Sequence, residues 1–234
     1  MVSPMFRQRH QELALNEKPS NGSMISLHED PLIGPHKISY RPGQTWDFEG
    51  CTGNAPIDID LVMPPHRPRM QPENHRTSLF LSSETGPIRA KICRHALNRS
   101  FNLIVTGGTR TDVLVWVPSN FSGYITVSGT NASFTPSFVE QVMPNARLNH
   151  SIPHGWCGDE IVIETGGRVA FCVWDVLTRR AESEKVLAAS QQRQKRDVWR
   201  RMFGGASSGA VVPAGKGHRP QTAKMWDWDF LIED

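Results

Sequence analysis

Hydrophobic and polar positions alternate along this chain in short runs separated by turn residues. Ile57-Asp58-Ile59-Asp60-Leu61 alternates strictly, which predicts a strand with one apolar face and one carboxylate face. Thr77–Ser82 places Leu79 and Leu81 on one face, and Pro87–Cys93 reads as another short strand. Phe101–Thr106 and Asp112–Val117 flank Gly107-Gly108, a dipeptide that suits the positive φ values of a tight hairpin. Val113-Leu114-Val115-Trp116-Val117 is apolar on both faces, so it must be covered on both sides. Ser122–Ser128 follows a Pro118-Ser119-Asn120 turn. Thr135-Pro136-Ser137 then opens a short helix that ends before Pro144, with Ser137 and Glu140 in capping-box spacing. Glu160–Glu164 and Arg168–Val176 predict a last hairpin across Gly166-Gly167, with Phe171 and Val173 on one face and Cys172 and Trp174 on the other. The fold class expected from this pattern is mainly β: an antiparallel β-sandwich, or a short stacked, solenoid-like sheet core, with one C-terminal helix.

Punctuation divides the chain into five parts. Residues 1–36 are polar and lack a sustained period, with Asn21, Gly22, Pro31, Gly34 and Pro35 as breakers, and read as a flexible arm. Residues 37–178 form the β core, interrupted by a Pro-rich basic loop from Met63 to Arg76. Arg179 to Phe203 contains no Pro or Gly and predicts one basic helix, stopped by Gly204-Gly205. Residues 204–224 are rich in Gly, Ala, Ser and Pro, the composition of a linker, and 225–234 form an acidic aromatic tail. Glu84-Thr85-Gly86 followed by Ala90 is echoed by Glu164-Thr165-Gly166 followed by Ala170, which suggests a repeated turn unit.

Composition changes this picture little. Hydrophobic residues make up 38% of 234, a shortfall expected if an ordinary core is diluted by polar ends. The net charge of +3 does not by itself point to nucleic acid. No window approaches the roughly 20 apolar residues of a membrane span, and Met1 to Leu13 lacks a signal-peptide apolar region. Cys51, Cys93, Cys157 and Cys172 are widely spaced, so the expected setting is intracellular (cytoplasm or nucleus) with reduced thiols. Asn21, Asn98, Asn120, Asn131 and Asn149 sit in N-x-S/T sequons, which matter only on secretion.

The run Asp112 to Gly123 (DVLVWVPSNFSG), the following Ile125-Thr126-Val127-Ser128, and Asp159 to Thr165 with Gly167-Arg168-Val169 resemble a set of fungal proteins grouped as domain of unknown function 7330. The likeness covers roughly Thr77 to Val176 and is a pattern of strands and turns. It implies a β core in a fungal intracellular protein and brings no activity or site residues with it.

Several segments touch on known chemistry. Gly205-Ala206-Ser207-Ser208-Gly209 spells G-x-S-x-G, but it follows a charged helix and enters a linker, where a nucleophile elbow needs a strand-to-helix turn. Gly209 to Lys216 departs from a phosphate-binding loop by one residue of spacing and by Gly217 in place of Ser/Thr. His154 and Cys157, with Cys93 and His95, make a poor zinc set, and no metal or cofactor is expected. Asp58 and Asp60 share a strand face about 6.5–7 Å apart, a spacing open to acid–base work, although carboxylates alternating on an exposed or edge strand, where they discourage pairing, are the commoner cause and the favoured reading.

Two segments remain as candidate binding sites. The basic helix carries eight bases against three acids, with Arg193, Lys195, Arg196, Arg200 and Arg201 as candidate anion ligands for nucleic acid or an anionic membrane surface; a solvated face is the plainer reading. In the tail, Trp226, Trp228 and Phe230 alternate with acids before Leu231. That suits either a linear motif for a protein partner or a segment that returns to its own domain, the second being favoured because the linker reaches ~25 Å. The function expected is therefore a non-enzymatic binding or scaffold module with a protein partner, the alternatives being an enzyme whose cleft the sequence does not reveal and anion binding by the helix.

Overall fold

A computed structural model describes residues 30–63, 71–73, 75–94, 99–128, 132–189 and 192. Thirteen strands form within them: β1 Leu32–Lys37, β2 Phe48–Thr52, β3 Ile57–Val62, β4 Thr77–Ser83, β5 Ile88–Cys93, β6 Phe101–Gly107, β7 Val113–Pro118, β8 Gly123–Ser128, β9 Ala132–Phe134, β10 Ala146–Leu148, β11 Asp159–Glu164, β12 Val169–Asp175 and β13 Arg180–Ala181. Helix α1, Pro136–Gln141, lies between β9 and β10.

From β1 to β9 the chain alternates between two sheets, one pair of strands per coil. The first sheet has the order β1-β3-β5-β7-β12, with β9 and β13 on the far side of β12; the second has the order β2-β4-β6-β11-β8-β10. All pairings are parallel except the two-residue β12–β13 contact. This corrects the antiparallel expectation. Both supposed hairpins are instead corners: β6 and β11 lie in the second sheet, β7 and β12 in the first. Short-range alternation is the same in either arrangement, so it carries no sign of strand direction.

Between the sheets, one side chain in two from each strand meets its counterpart. Ile57, Ile59, Leu61, Ile88, Ala90, Ile92, Val113, Val115, Val117, Phe171 and Val173 of the first sheet pack on Leu79, Leu81, Leu103, Val105, Ile125, Ile161 and Ile163 of the second. At the far end Phe134, Phe138 and Phe171 stack with centroids 5.3–5.5 Å apart, so α1 closes that end of the core. Thr135 caps α1 by accepting the Phe138 N–H at 3.3 Å, two residues earlier than the Ser137–Glu140 box expected. Ser137 donates to Glu182 instead.

The order of strands in space departs from their order in sequence at one place. After β7 the chain crosses to β8, which lies two places from β6, and then to β9, two places from β7. The last coil fills the gap: β11 pairs with β6 and β8, and β12 pairs with β7 and β9.

Corners from the second sheet to the first are tight. Gly107-Gly108 and Gly166-Gly167 lack the positive φ expected of them. Gly108 is needed for close approach: a Cβ there would lie 1.9 Å from the Glu84 carbonyl oxygen. Buried hydroxyls run along this edge, with Thr52 donating to Ala55 C=O at 2.8 Å, Thr111 to Glu84 C=O at 3.2 Å and Thr165 to Thr111 C=O at 2.6 Å. The two Glu-Thr-Gly triplets both fall at such corners but out of register: Glu164 is level with Ser82 rather than Glu84, and Ala90 faces the core while Ala170 faces the outside.

Two segment boundaries move. β1 begins at Leu32, inside the stretch read as an arm: Leu32 packs against the core although Gly34 and Pro35 look like breakers. The helix expected over 179–203 starts at 184, since Arg180 and Ala181 pair with β12. Residues 184–189 are helical, and 193–203 lie outside the described residues.

Those C-terminal residues meet the demand made by the two-sided apolar strands. Trp116, 1% exposed, and Cys172 point out of the first sheet and are covered by Leu187. Trp116 Nε1 donates to Glu182 C=O at 2.9 Å. The Glu182 carboxylate accepts Thr135 Oγ1 at 2.6 Å, Ser137 Oγ at 2.7 Å and the Val173 N–H at 3.2 Å, which ties the covering segment to α1 and β12.

Candidate interaction face

The outer face of the second sheet is buried at Val162 and Tyr124 and more open at Phe80 and Ile104. Its positions are the alternates of the core residues, and register aligns them in rows. The middle row runs Phe80, Ile104, Val162, Thr126 across β4, β6, β11 and β8, about 14 Å at the usual strand spacing. Phe80 and Ile104 are half-buried. Trp46 stacks on Phe80 with centroids 5.2 Å apart and planes 20° apart. At the other side Tyr124 meets Trp156 edge-on at 4.9 Å. Ser78, Asn102 and Glu160 on one side, and Ser82, Thr106, Glu164 and Ser128 on the other, frame the row with polar groups, and Glu49 lies beside Phe80 at its end.

The corner beneath Trp156 is rigid for an electrostatic reason. Arg94 and Asp159, each at most 5% exposed, form a bidentate pair with both Nη1–carboxylate distances 2.8 Å. Arg94 also donates to Asn120 Oδ1 and C=O and to the Arg99 C=O. Asp159 accepts the N–H groups of Phe101 and Ser122 at 3.3 and 3.2 Å. Burial pushes the Asp159 carboxyl above its ordinary range, and the Arg94 guanidinium and the two amides offset part of that shift. The residues joined come from β5, the β7–β8 corner, β6 and β11, so the pair fastens the inserted coil to its neighbours. Nearby, Arg76 donates to Glu160 at 2.8 Å and to the Gly158 C=O at 3.3 Å, and Trp156 Nε1 donates to the Asp159 C=O at 3.2 Å. Trp156 is thereby held in place over Tyr124.

A second buried acid serves the first coil. Asp47 accepts the N–H groups of Arg41 and Ser78 at 3.1 and 2.9 Å and lies 2.7 Å from His75 Nε2. This fixes the segment that carries Trp46.

The residues singled out in the sequence fare differently. Asp58 and Asp60 lie on the outer face of the first sheet, where Lys91 Nζ stands 2.8 Å from Asp60 and 4.0 Å from Asp58. They are ion-paired carboxylates on a sheet face, and β3 is an interior strand with β1 and β5 on either side rather than a sheet edge. His154 and Cys157 are exposed in the loop before β11, while Cys93 is buried on β5. Among the described residues no group of three or more His, Cys, Asp or Glu side chains could hold a metal ion. Arg193, Lys195, Arg196, Arg200 and Arg201, the 205–209 pentapeptide, and Trp226, Trp228, Phe230 and Leu231 lie outside the described residues. The sequence reading missed Arg94, Asp159 and the Phe80–Ile104 row. A signal for the row was present, since Phe80 and Ile104 are apolar at positions where the strand alternation calls for polar residues.

All four cysteines are free. Burial pushes the Cys93 and Cys172 thiols up to about 12 and the Cys51 thiol up to about 11, the neighbouring Asp60, Glu182 and Glu49 adding to it. Alkylation of the native protein at pH 8 is expected to modify Cys157 alone at first. Mass spectrometry should find the other three modified only after denaturant is added.

These features define a two-sheet parallel β-solenoid whose one outer face is covered by residues 182–189 and whose other face carries a mostly apolar row flanked by aromatic ring pairs. The family described as a domain of unknown function (DUF7330) matches residues 47–152. The match leaves out β1, β11 and β12, although β11 and β12 fill the middle of both sheets. No curated protein matches the chain, and no solved structure does. No helix among the described residues is long and apolar enough to cross a membrane.

Proposed function

We propose that this solenoid is a non-enzymatic binding module that receives a protein partner on the outer face of its second sheet. The observation that carries this reading is the row Phe80–Ile104–Val162 flanked by the Trp46 and Tyr124–Trp156 ring pairs. Aromatic anchors at the centre and a polar rim that includes Glu160 and Glu164 have the make-up of a protein interface. The backbone under them is parallel sheet on a packed core, so little ordering entropy is lost on binding. The partner surface it fits is apolar at its centre. Trp226, Trp228, Phe230 and Leu231 supply a second candidate attachment point. An intracellular setting accords with four cysteines that form no disulfide.

The test compares affinity capture by the wild-type chain with capture by Phe80→Asp and Ile104→Asp, each checked for an unchanged circular dichroism spectrum. Asp58→Ser, on the opposite sheet, is the control. A protein lost with both face variants, kept by the control, and behaving the same way as a purified component supports the reading. Identical captured proteins for all four chains overturn it.

A further inference from the structure

The two ends of the solenoid are unlike. The far end is closed by α1 and the Phe134–Phe138–Phe171 stack. At the other end β1 and β2 each have a free edge among the described residues, and Leu32 and Phe48 of this last coil are only partly buried. His36, on the core side of β1, has Nε2 buried with no hydrogen-bond partner among the described residues.

The two free edges differ in what they can accept. Leu32 N–H and Ile38 N–H donate to β3 carbonyls, so by alternation the Pro35 nitrogen faces away from the sheet, where it has no proton to give. Gly34, with φ of 95°, further distorts that strand. The β1 edge is therefore blunted against pairing. The β2 edge is open: Glu84 N–H donates to Thr52 C=O, so by alternation Phe48 and Gly50 bond to β4 and the N–H and C=O of Glu49 and Cys51 point to the free side. A strand could be added to the second sheet at this end, but not readily to the first.

The chain itself supplies a candidate for that place. Strands alternate between sheets from β1 onward, so a strand preceding β1 belongs in the second sheet, beside β2. The corners set its register. Pro56-Ile57 and Pro87-Ile88 open β3 and β5, each five residues after a buried hydroxyl residue at the end of the preceding strand, Thr52 and Ser83. Pro31-Leu32 opens β1 in the same way, and Leu32 N–H donates to Pro56 C=O as Ile57 N–H donates to Pro87 C=O. Counting back five residues from Leu32 sets Leu27 beside Thr52, Ile25 beside Gly50 and Met24 beside Glu49. Ser23-Met24-Ile25-Ser26-Leu27 then directs Ile25 and Leu27 toward the core row of Leu81 and Ser83, with Leu27 ending the run of hydroxyls.

We propose that residues 23–27 dock in parallel on the free edge of β2 and close the near end of the solenoid. The tether is short, because the described residues begin at Asp30, two residues before β1. The segment occupies the edge that a second copy of the chain would otherwise extend, so it also limits end-to-end association.

Paired cysteines test the register in the full-length chain carrying Cys157→Ser. Met24→Cys with Glu49→Cys is expected to form an intrachain disulfide under mild oxidation, since in-register neighbours on adjacent strands fall within disulfide reach. Ile25→Cys with Glu49→Cys, on opposite faces, and Gln8→Cys with Glu49→Cys should not. Equal oxidation of all three pairs, or none for the Met24 pair, overturns the proposal, and a disulfide between chains assigns the edge to a second copy instead. Hydrogen exchange reads the same edge without substitution. The Glu49 and Cys51 amides should be protected in the whole protein and lose that protection when residues 1–29 are removed; rapid exchange in the whole protein overturns it.

Discussion

Asp159→Ala is expected to destabilise the protein by about 3–5 kcal/mol, the range for removing one partner of a buried, hydrogen-bonded ion pair. The loss is large because the Arg94 guanidinium remains in place, 3% exposed, with its two shortest contacts to a carboxylate gone. The N–H groups of Phe101 and Ser122 also lose an acceptor in the interior. Arg94→Met should cost a similar amount, as it leaves the carboxylate alone. The pair of substitutions together should cost clearly less than the two single losses added, because the apolar replacement removes the unpaired charge. Urea denaturation followed by tryptophan fluorescence measures all three. Additive losses would show that Arg94 and Asp159 do not act as a unit. Because the pair joins β5, β6, β11 and the β7–β8 corner, the same variants should raise hydrogen exchange in β11 before β3.

Trp116→Ala is expected to cost about 3–5 kcal/mol, typical of deleting a buried aromatic side chain. Trp116 lies between the first sheet and the residues that cover it, with Leu187 above and Lys91 Nζ 5.2 Å from its ring. Trp116→Phe separates packing from hydrogen bonding. It keeps much of the buried area and leaves Glu182 C=O without its donor, at a cost of about 1–3 kcal/mol. Both variants should loosen residues 182–189 more than the second sheet, which hydrogen exchange can resolve. Equal loosening of both sheets would mean that the covering segment is not held through Trp116. Either large loss is a substantial part of the ~5–15 kcal/mol that holds an ordinary domain together.

The strands themselves were legible in the sequence. Ile57-Asp58-Ile59-Asp60-Leu61 and Leu79-Phe80-Leu81 announce their period, and Trp116 and Trp174 announce that the strands bearing them are covered on the outside as well as within. The interaction face was legible only in part. Phe80 and Ile104 stand out as apolar residues at polar positions, but nothing in sequence places them side by side, since 24 residues separate two side chains that register makes neighbours. The Arg94–Asp159 pair was not legible at all. An arginine and an aspartate 65 residues apart carry no local sign that they share a site from which water is excluded.

What the sequence determined by itself is local: which residues are extended, which face of each strand is apolar, where glycine and proline turn the chain, and that two strands need a second layer. Strand direction, the insertion of β11 and β12 into sheets begun by earlier strands, and the choice of which outer face is covered were decided by tertiary structure. The reason is that side-chain alternation is identical in parallel and antiparallel sheets. Partners are then selected by how closely corners such as Gly108 against the Glu84 carbonyl can stack, and by which buried charges find their counterparts, and neither is a property of any one segment.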